Sequence, residues 1–226
     1  MEFIYDGISL QNGRDSNMDS LLMTGRQVSG VQTVLAVVCD GVGSMSDGAY
    51  AGVESVKMLN EWFKNLTDLE RVGLRLRDEV QSINVWVTRA AKEQGIQTAT
   101  TLSALLLAER QFFIVHAGDS RIYSISSDSA QLLTVDAVTE SGQLTTYIGR
   151  HEDLELFYTE GVTQCGVFLI CSDGLYKRVH IEDELIAGSI DTSNAKAIHK
   201  TLKVLTDVAI ERGENDNVSL GIVKIK

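Results

Sequence analysis

Residues 34–44 read Val-Leu-Ala-Val-Val-Cys-Asp-Gly-Val-Gly-Ser. A short, uninterrupted apolar run that is rich in valine, such as Val34 to Cys39, is typical of a buried strand. Asp40 and Gly41 follow the run directly, and Gly43 comes two residues later. The stretch therefore predicts a charge at the exposed end of a rigid element, where glycines let the backbone turn and approach a ligand.

The same construction occurs twice more along the chain. Residues 167–174 read Val-Phe-Leu-Ile-Cys-Ser-Asp-Gly, and residues 112–120 read Phe-Phe-Ile-Val-His-Ala-Gly-Asp-Ser. A lone Asp-Gly pair is best interpreted as a turn. Three apolar strands that end in Asp40, Asp119 and Asp173, with Asp216 at the start of a fourth, instead indicate that the strand ends converge on a cluster of carboxylates.

Length and composition are those of an ordinary globular protein. The chain has 226 residues, 44% of them hydrophobic, and we predict one domain, residues 1–226, because no linker or repeat divides it. A net charge of −11 argues against nucleic-acid binding. No apolar run approaches the roughly 20 residues of a membrane helix, and residues 1–10 lack the pattern of a signal peptide.

The three cysteines, Cys39, Cys165 and Cys171, are an odd number without the spacing of metal ligands. Cys39 and Cys171 lie inside apolar runs, so we expect both to be reduced core residues. This usage predicts a reducing compartment, the cytoplasm.

The order of apolar patterns predicts an α+β fold with about nine strands and four helices. Helical spacing covers residues 49–66, a second stretch capped by Asp68 and ended by Gly95, and two shorter stretches near 181–187 and 195–212. Residues 21–23 are predicted as a short strand and residues 27–32 as a loop. Runs of strands separated from pairs of helices indicate antiparallel sheets with helices packed outside them.

A cluster of carboxylates points to bound metal ions. Neighbouring anions repel and raise each other's pKa, and hard divalent cations with oxygen ligands relieve that repulsion. Two such ions that share one carboxylate and one water can activate the water and hold a phosphoryl group. Arg14 can hold phosphate oxygens bidentately, although a surface arginine is the commoner case. For Arg121 we favour a structural pairing with a carboxylate.

Taken in order, seven motifs resemble those of the type 2C metal-dependent protein phosphatases, the PPM family, in its bacterial type. They are Arg14-x-x-Asn17-x-Asp19, Asp40-Gly41-Val42-Gly43, Thr98 to Leu102, Gly118-Asp119-Ser120-Arg121, Leu133-Thr134-x-Asp136, Ser172-Asp173-Gly174-Leu175 and Asp216-Asn217-Val218-Ser219. The resemblance implies a four-layer α-β-β-α sandwich, with helix pairs outside two antiparallel sheets. It also implies hydrolysis of phosphoserine and phosphothreonine in proteins by a dinuclear Mn²⁺ or Mg²⁺ centre with a metal-activated water.

By position, the resemblance assigns the metal ligands. Asp40 would bridge two metal ions, and the carbonyl of Gly41 would bind one of them. Asp173 and Asp216 would hold the other, and Asp119, with Asp173, would serve a third ion.

The resemblance gives Arg14 the role of a catalytic residue that clamps the substrate phosphate, and it lets Asp19 act through water. Met18 stands where the family usually has Glu, and Val42 where animal members carry a proposed proton donor. The flap segment, about residues 136–153, is far shorter than in the family, which implies a more open site.

Two other functions remain open at this point. A catalytically weak or dead relative would act as a phosphoprotein-binding or scaffold module, and a metallo-hydrolase would act on small phosphate esters. For the phosphatase, we expect phosphorylated proteins as partners, opposing a Ser/Thr kinase, and neither nucleic acid nor membrane.

Overall fold

The computed structural model describes residues 1–127, 129–163 and 166–226, so Cys165 lies outside the described residues. In chain order the elements are β1 (Phe3–Leu10), β2 (Ser20–Val28), β3 (Val31–Cys39), α1 (Gly48–Lys64), α2 (Val72–Gln94), β4 (Leu102–Ala108), β5 (Gln111–Ala117), β6 (Arg121–Ile125), β7 (Ala130–Leu132), β8 (Phe157–Val162), β9 (Val167–Cys171), α3 (Asp173–Tyr176), α4 (Glu184–Gly188), α5 (Ala195–Glu211) and β10 (Val218–Ile225).

The strands form two antiparallel sheets of five strands each. One sheet has the order β1-β10-β9-β6-β7 and the other β2-β3-β4-β5-β8. Every pairing within them is antiparallel, from the hairpin of β2 and β3 to the pairing of the first and last strands, β1 and β10. The predicted α+β class with antiparallel sheets is confirmed.

Strand β3 shows how the layers stack. Its side chains alternate, with Leu35 and Val37 packed in the core beneath α1 and α2. Val34 and Ala36 belong instead to the core between the two sheets, together with Ile170 of β9. Both faces of β3 are therefore buried, which explains why its sequence is apolar throughout rather than alternating.

A third core lies on the outer face of the other sheet. Ile198 and Leu202 of α5 pack there with Leu169 of β9 and Leu220 of β10. The order of layers is therefore helices, sheet, sheet, helices, as the four-layer prediction requires. The helices over this second sheet are one long helix, α5, and the two short helices α3 and α4.

The predicted loop at residues 27–32 is wrong. Only Ser29 and Gly30 form the turn, with φ angles of 50° and 80°, and β2 and β3 extend to Val28 and Val31 on either side. Positive φ at both central residues matches the twist of a tight hairpin, so two residues suffice to connect the strands. Because the turn is so short, β2 continues to Val28 and is nine residues long, whereas the predicted strand covered only the three residues 21–23.

The second helix begins later than predicted. Its first residue is Val72 and its N-cap is Arg71, with a left-handed φ of 48°. Asp68 does not cap the helix, because its carboxylate accepts hydrogen bonds from the Glu70 backbone N–H at 3.0 Å and from Arg75 at 2.8 Å. Across the described ranges, no helix is long and apolar enough to cross a bilayer.

Candidate active site

Four acidic residues from separate parts of the chain line one pocket. Asp40 directly follows β3, and Asp119 lies between β5 and β6. Asp173 follows β9 and begins α3, and Asp216 lies just before β10. Because β3 and β9 belong to different sheets that pack face to face, the pocket lies at one end of the sandwich, where strand ends of both sheets come together. The convergence of strand ends that the sequence predicts is present in the structure.

The backbone of Asp40 is held by the two threonines that directly precede β4. The Asp40 N–H donates to the Thr101 hydroxyl at 2.9 Å, and the Asp40 carbonyl accepts from the Thr101 N–H at 2.9 Å. The hydroxyl of Thr100 adds a third bond, to the same carbonyl, at 3.0 Å. None of these bonds uses the carboxylate, which is therefore left to face the pocket.

The carboxylate of Asp40 lies in a strongly unfavourable environment for a negative charge. Burial raises its pKa well above the usual range, and the charges of Asp19, Asp173 and Asp119 raise it further. Asp19 is 8% exposed, and its carboxylate accepts a hydrogen bond from the Ser172 hydroxyl at 2.9 Å. Burial raises the pKa of Asp19 to about 6. In both carboxyl groups the negative charge is therefore disfavoured, and a cation placed nearby would stabilise it.

Gly41 lies where no side chain fits. An added Cβ would be 2.5 Å from the carbonyl oxygen of Gly48 and 2.8 Å from that of Met18. Real Cβ atoms essentially never come so close to another heavy atom. The loop after β3 can therefore pass beside the start of α1 only because residue 41 is glycine.

Two cations already contact the carboxylates of the pocket. Arg14 donates from Nε to Asp216 Oδ1 at 2.8 Å and from Nη2 to Asp216 Oδ2 at 2.6 Å. Lys177 forms an ion pair with Asp173 through Nζ and Oδ2. The arginine predicted to clamp phosphate is thus bound to one of the predicted metal ligands.

The residues of the pocket fit a hard divalent cation by their chemistry. All four acidic side chains offer oxygen ligands, and their mutual repulsion is the condition that such a cation relieves. In the described ranges, however, no group of three or more Asp, Glu, His or Cys side chains already has an arrangement that would hold an ion. Asp216, whose two carboxylate oxygens both accept from Arg14, would have to turn toward the ion, whereas Asp173 contacts Lys177 through Oδ2 alone and could offer the ion Oδ1.

Arg121 has the structural role that we favoured for it. Its guanidinium donates to Asp136 from Nε at 3.1 Å and from Nη2 at 2.8 Å, and it stacks 3.8 Å above the ring of Tyr176. The Tyr176 hydroxyl in turn donates to Asp119 Oδ2 at 3.4 Å. This contact to Asp119 was not predicted, because it depends on the short helix α3, which the sequence analysis missed.

Comparisons with known proteins agree with this fold. Residues 11–208 match the family described as "Protein phosphatase 2C". A "Putative protein phosphatase" of Mycoplasma genitalium is 27% identical over 225 residues, with 85% of each chain covered. The "Serine/threonine phosphatase stp" of Listeria monocytogenes is 28% identical over 216 residues, with 84% of each covered.

Solved structures show the same architecture. A bacterial serine phosphatase superposes with a TM-score of 0.88 at 21% identity, covering 100% of this chain and 98% of that one. The catalytic domain of the protein phosphatase PstP, in complex with two manganese ions, has a TM-score of 0.79 at 24% identity, covering 98% and 97%. At these identities the structures establish the shared fold.

The fold and its pocket of carboxylates define a phosphatase-like two-sheet sandwich. The chain belongs to the protein phosphatase 2C family, because the family match spans nearly the whole sequence. The predicted resemblance to the bacterial type is confirmed. The predicted enzyme class, a protein serine/threonine phosphatase, is confirmed at the level of the family.

Proposed function

We propose that the chain hydrolyses phosphoserine and phosphothreonine in proteins, using two Mn²⁺ or Mg²⁺ ions held in the pocket. The single observation that carries this proposal is the convergence of Asp40, Asp119, Asp173 and Asp216, brought from both sheets into one pocket. The manganese complex of PstP, a protein of the same fold, supports the choice of metal.

Within this proposal each acidic residue has a role. Asp40 would bind both ions, the Gly41 carbonyl would bind one of them, and Asp173 and Asp216 would bind the other. Asp119 would lie with Asp173 at the subsite that the resemblance gives to a third ion, and Asp19 would act through water. When bound, the ions would supply Lewis-acid activation of a water molecule and positive charge for the phosphoryl group.

Arg14 would change partners as the site is filled. The Arg14 side chain is 55% exposed and contacts Asp216, so both groups lie at the pocket entrance. When Asp216 serves as a ligand, Arg14 would be free to hold two phosphate oxygens of the substrate in the bidentate geometry that suits a guanidinium. The arginine would then position the phosphate for attack.

The segment predicted as a shortened flap also reaches the pocket. Within the described part of the chain, residues 136–153 contain no helix or strand, and Val138 and Leu144 pair in a single antiparallel β-bridge. Gly142 and Leu144 line the pocket. We propose that residues 1–226 form one catalytic domain in which this short segment leaves the site open to protein substrates.

We also propose that a Ser/Thr kinase acts on the same proteins. We place this activity in the cytoplasm, in keeping with the buried free thiols of Cys39 and Cys171.

A scaffold or phosphoprotein-binding function is the second candidate. It is favoured by one observation, namely that Arg14 and Lys177 form ion pairs with Asp216 and Asp173. Such a protein would bind a phosphopeptide and leave it intact.

Hydrolysis of a phosphothreonine peptide distinguishes these functions. We expect phosphate release in Mn²⁺, a complete loss of release in excess chelator, and recovery when Mn²⁺ is restored. Peptide binding without phosphate release under any of these conditions would favour the scaffold. A much higher kcat/KM for a small aryl phosphate than for any phosphopeptide would favour the hydrolase of small esters.

A further inference from the structure

Lys177 lies at the edge of the pocket, four residues after Asp173. Asp173 begins α3 and Lys177 is the C-cap of the same helix, so the two side chains lie one above the other on one face. The Lys177 ammonium contacts Asp173 Oδ2, and it also lines the pocket beside Asp119 and Asp40. The side chain of Asp173 is only 15% exposed, so the ion pair is partly shielded from water.

The ammonium of Lys177 brings a positive charge to the acidic residues of the pocket. A lysine ammonium is charged at neutral pH. That of Lys177 pairs with Asp173 and lines the pocket with Asp119 and Asp40, so a cation lies beside three of the four acidic residues.

The balance of formal charge indicates how many metal ions the pocket can accept. Its four carboxylates, with Arg14 and Lys177, leave a charge of −2. Two divalent ions would change this to +2, which a phosphate monoester dianion neutralises. A third divalent ion would leave a large positive excess and would lie next to the Lys177 ammonium, which repels it.

We propose that Lys177 serves as a built-in cation at the subsite of Asp119 and Asp173, so that this protein binds two divalent ions and excludes a third. The inference rests on the proposed metal-dependent function. It gives Lys177 a positioning role, since its charge would hold Asp119 and Asp173 in place of an ion.

The test counts bound Mn²⁺ by equilibrium dialysis of the full chain followed by elemental analysis. We expect two ions in the wild type and three in Lys177→Gln, because the substitution removes the repelling charge and keeps a polar side chain. Lys177→Arg keeps the charge and should again bind two. Adding Asp119→Asn to Lys177→Gln should return the count from three to two.

Lys57→Gln is the matched control. Lys57 also pairs with an acidic residue of its own helix, Glu54, but its side chain is 69% exposed and lies outside the pocket, so its count should equal that of the wild type. Three ions in the wild type, or two ions in Lys177→Gln, would overturn the inference.

The same measurement separates this inference from the proposed function. If wild type and Lys177→Gln both bind two ions, and both release phosphate only with Mn²⁺, the role of Lys177 is wrong and the metal-dependent function stands. If no variant binds Mn²⁺, both are wrong. A raised KM in Lys177→Gln with an unchanged ion count would assign the ammonium to substrate binding and would also overturn the inference.

Discussion

The Asp40→Asn variant is expected to lose at least about 100-fold in kcat with a phosphothreonine peptide, since substitutions even outside the ligand shell of a metal commonly cost 10–100-fold. An amide is a weaker ligand than a carboxylate and carries no charge to offset two divalent ions. We expect Mn²⁺ affinity to fall together with activity. Isothermal titration with Mn²⁺ and phosphate-release kinetics measure the two effects on the same preparation.

The variant should nevertheless fold. The hydrogen bonds between Asp40 and the hydroxyls of Thr100 and Thr101 use the backbone N–H and carbonyl of Asp40, not its carboxylate. Removal of a buried charge that Asp19 and Asp173 repel should leave the metal-free protein at least as resistant to urea as the wild type. Asp78→Asn is the control, because the Asp78 side chain is 69% exposed on α2 and should change neither property. Wild-type activity in Asp40→Asn would remove Asp40 from the catalytic machinery.

The Gly174→Ala variant is expected to lose about 3 kcal/mol or more of its free energy of unfolding, in the range that overpacking at a rigid site produces. A Cβ on Gly174 would lie 2.0 Å from the carbonyl oxygen of Asn217. Both partners are backbone, so neither can rotate away. The start of α3 and the segment before β10 would have to separate, and these segments carry Asp173 and Asp216. Urea denaturation followed by circular dichroism gives the change in stability.

Gly43→Ala supplies the comparison for Gly174→Ala. An added Cβ at Gly43 would have no other atom within 4 Å, and Gly43 is not among the glycines with positive φ. Its free energy of unfolding should therefore stay within about 1 kcal/mol of the wild type. Equal stability of the two alanine variants would show that the contact between Gly174 and Asn217 does not constrain the fold.

Much of this site follows from the sequence because strand ends are local signals. An apolar run that stops at Asp-Gly identifies Asp40 and Asp173, and the face-to-face packing of the two sheets then brings these strand ends together. The buried run of β3 could also be recognised, since both of its faces pack against other layers. These features depend on patterns of fewer than ten residues.

Features that depend on contacts between distant residues could not be predicted. The pair of Arg14 and Asp216 joins residues 202 positions apart, and no local pattern assigns a partner to a surface arginine. Helix α3 spans only four residues, too short for an apolar period, so the position of Lys177 one turn after Asp173 was missed. The sequence predicts a longer loop than the Ser29-Gly30 turn, because polar residues at the ends of the adjoining strands resemble loop residues.

The most direct test of the central claim is an anomalous difference map from a crystal grown with Mn²⁺ and measured near the manganese absorption edge. The account predicts two peaks in the pocket, with Asp40 between them and Asp173 and Asp216 beside one of them. A map without peaks in the pocket, or with peaks that Asp40 does not contact, would contradict it.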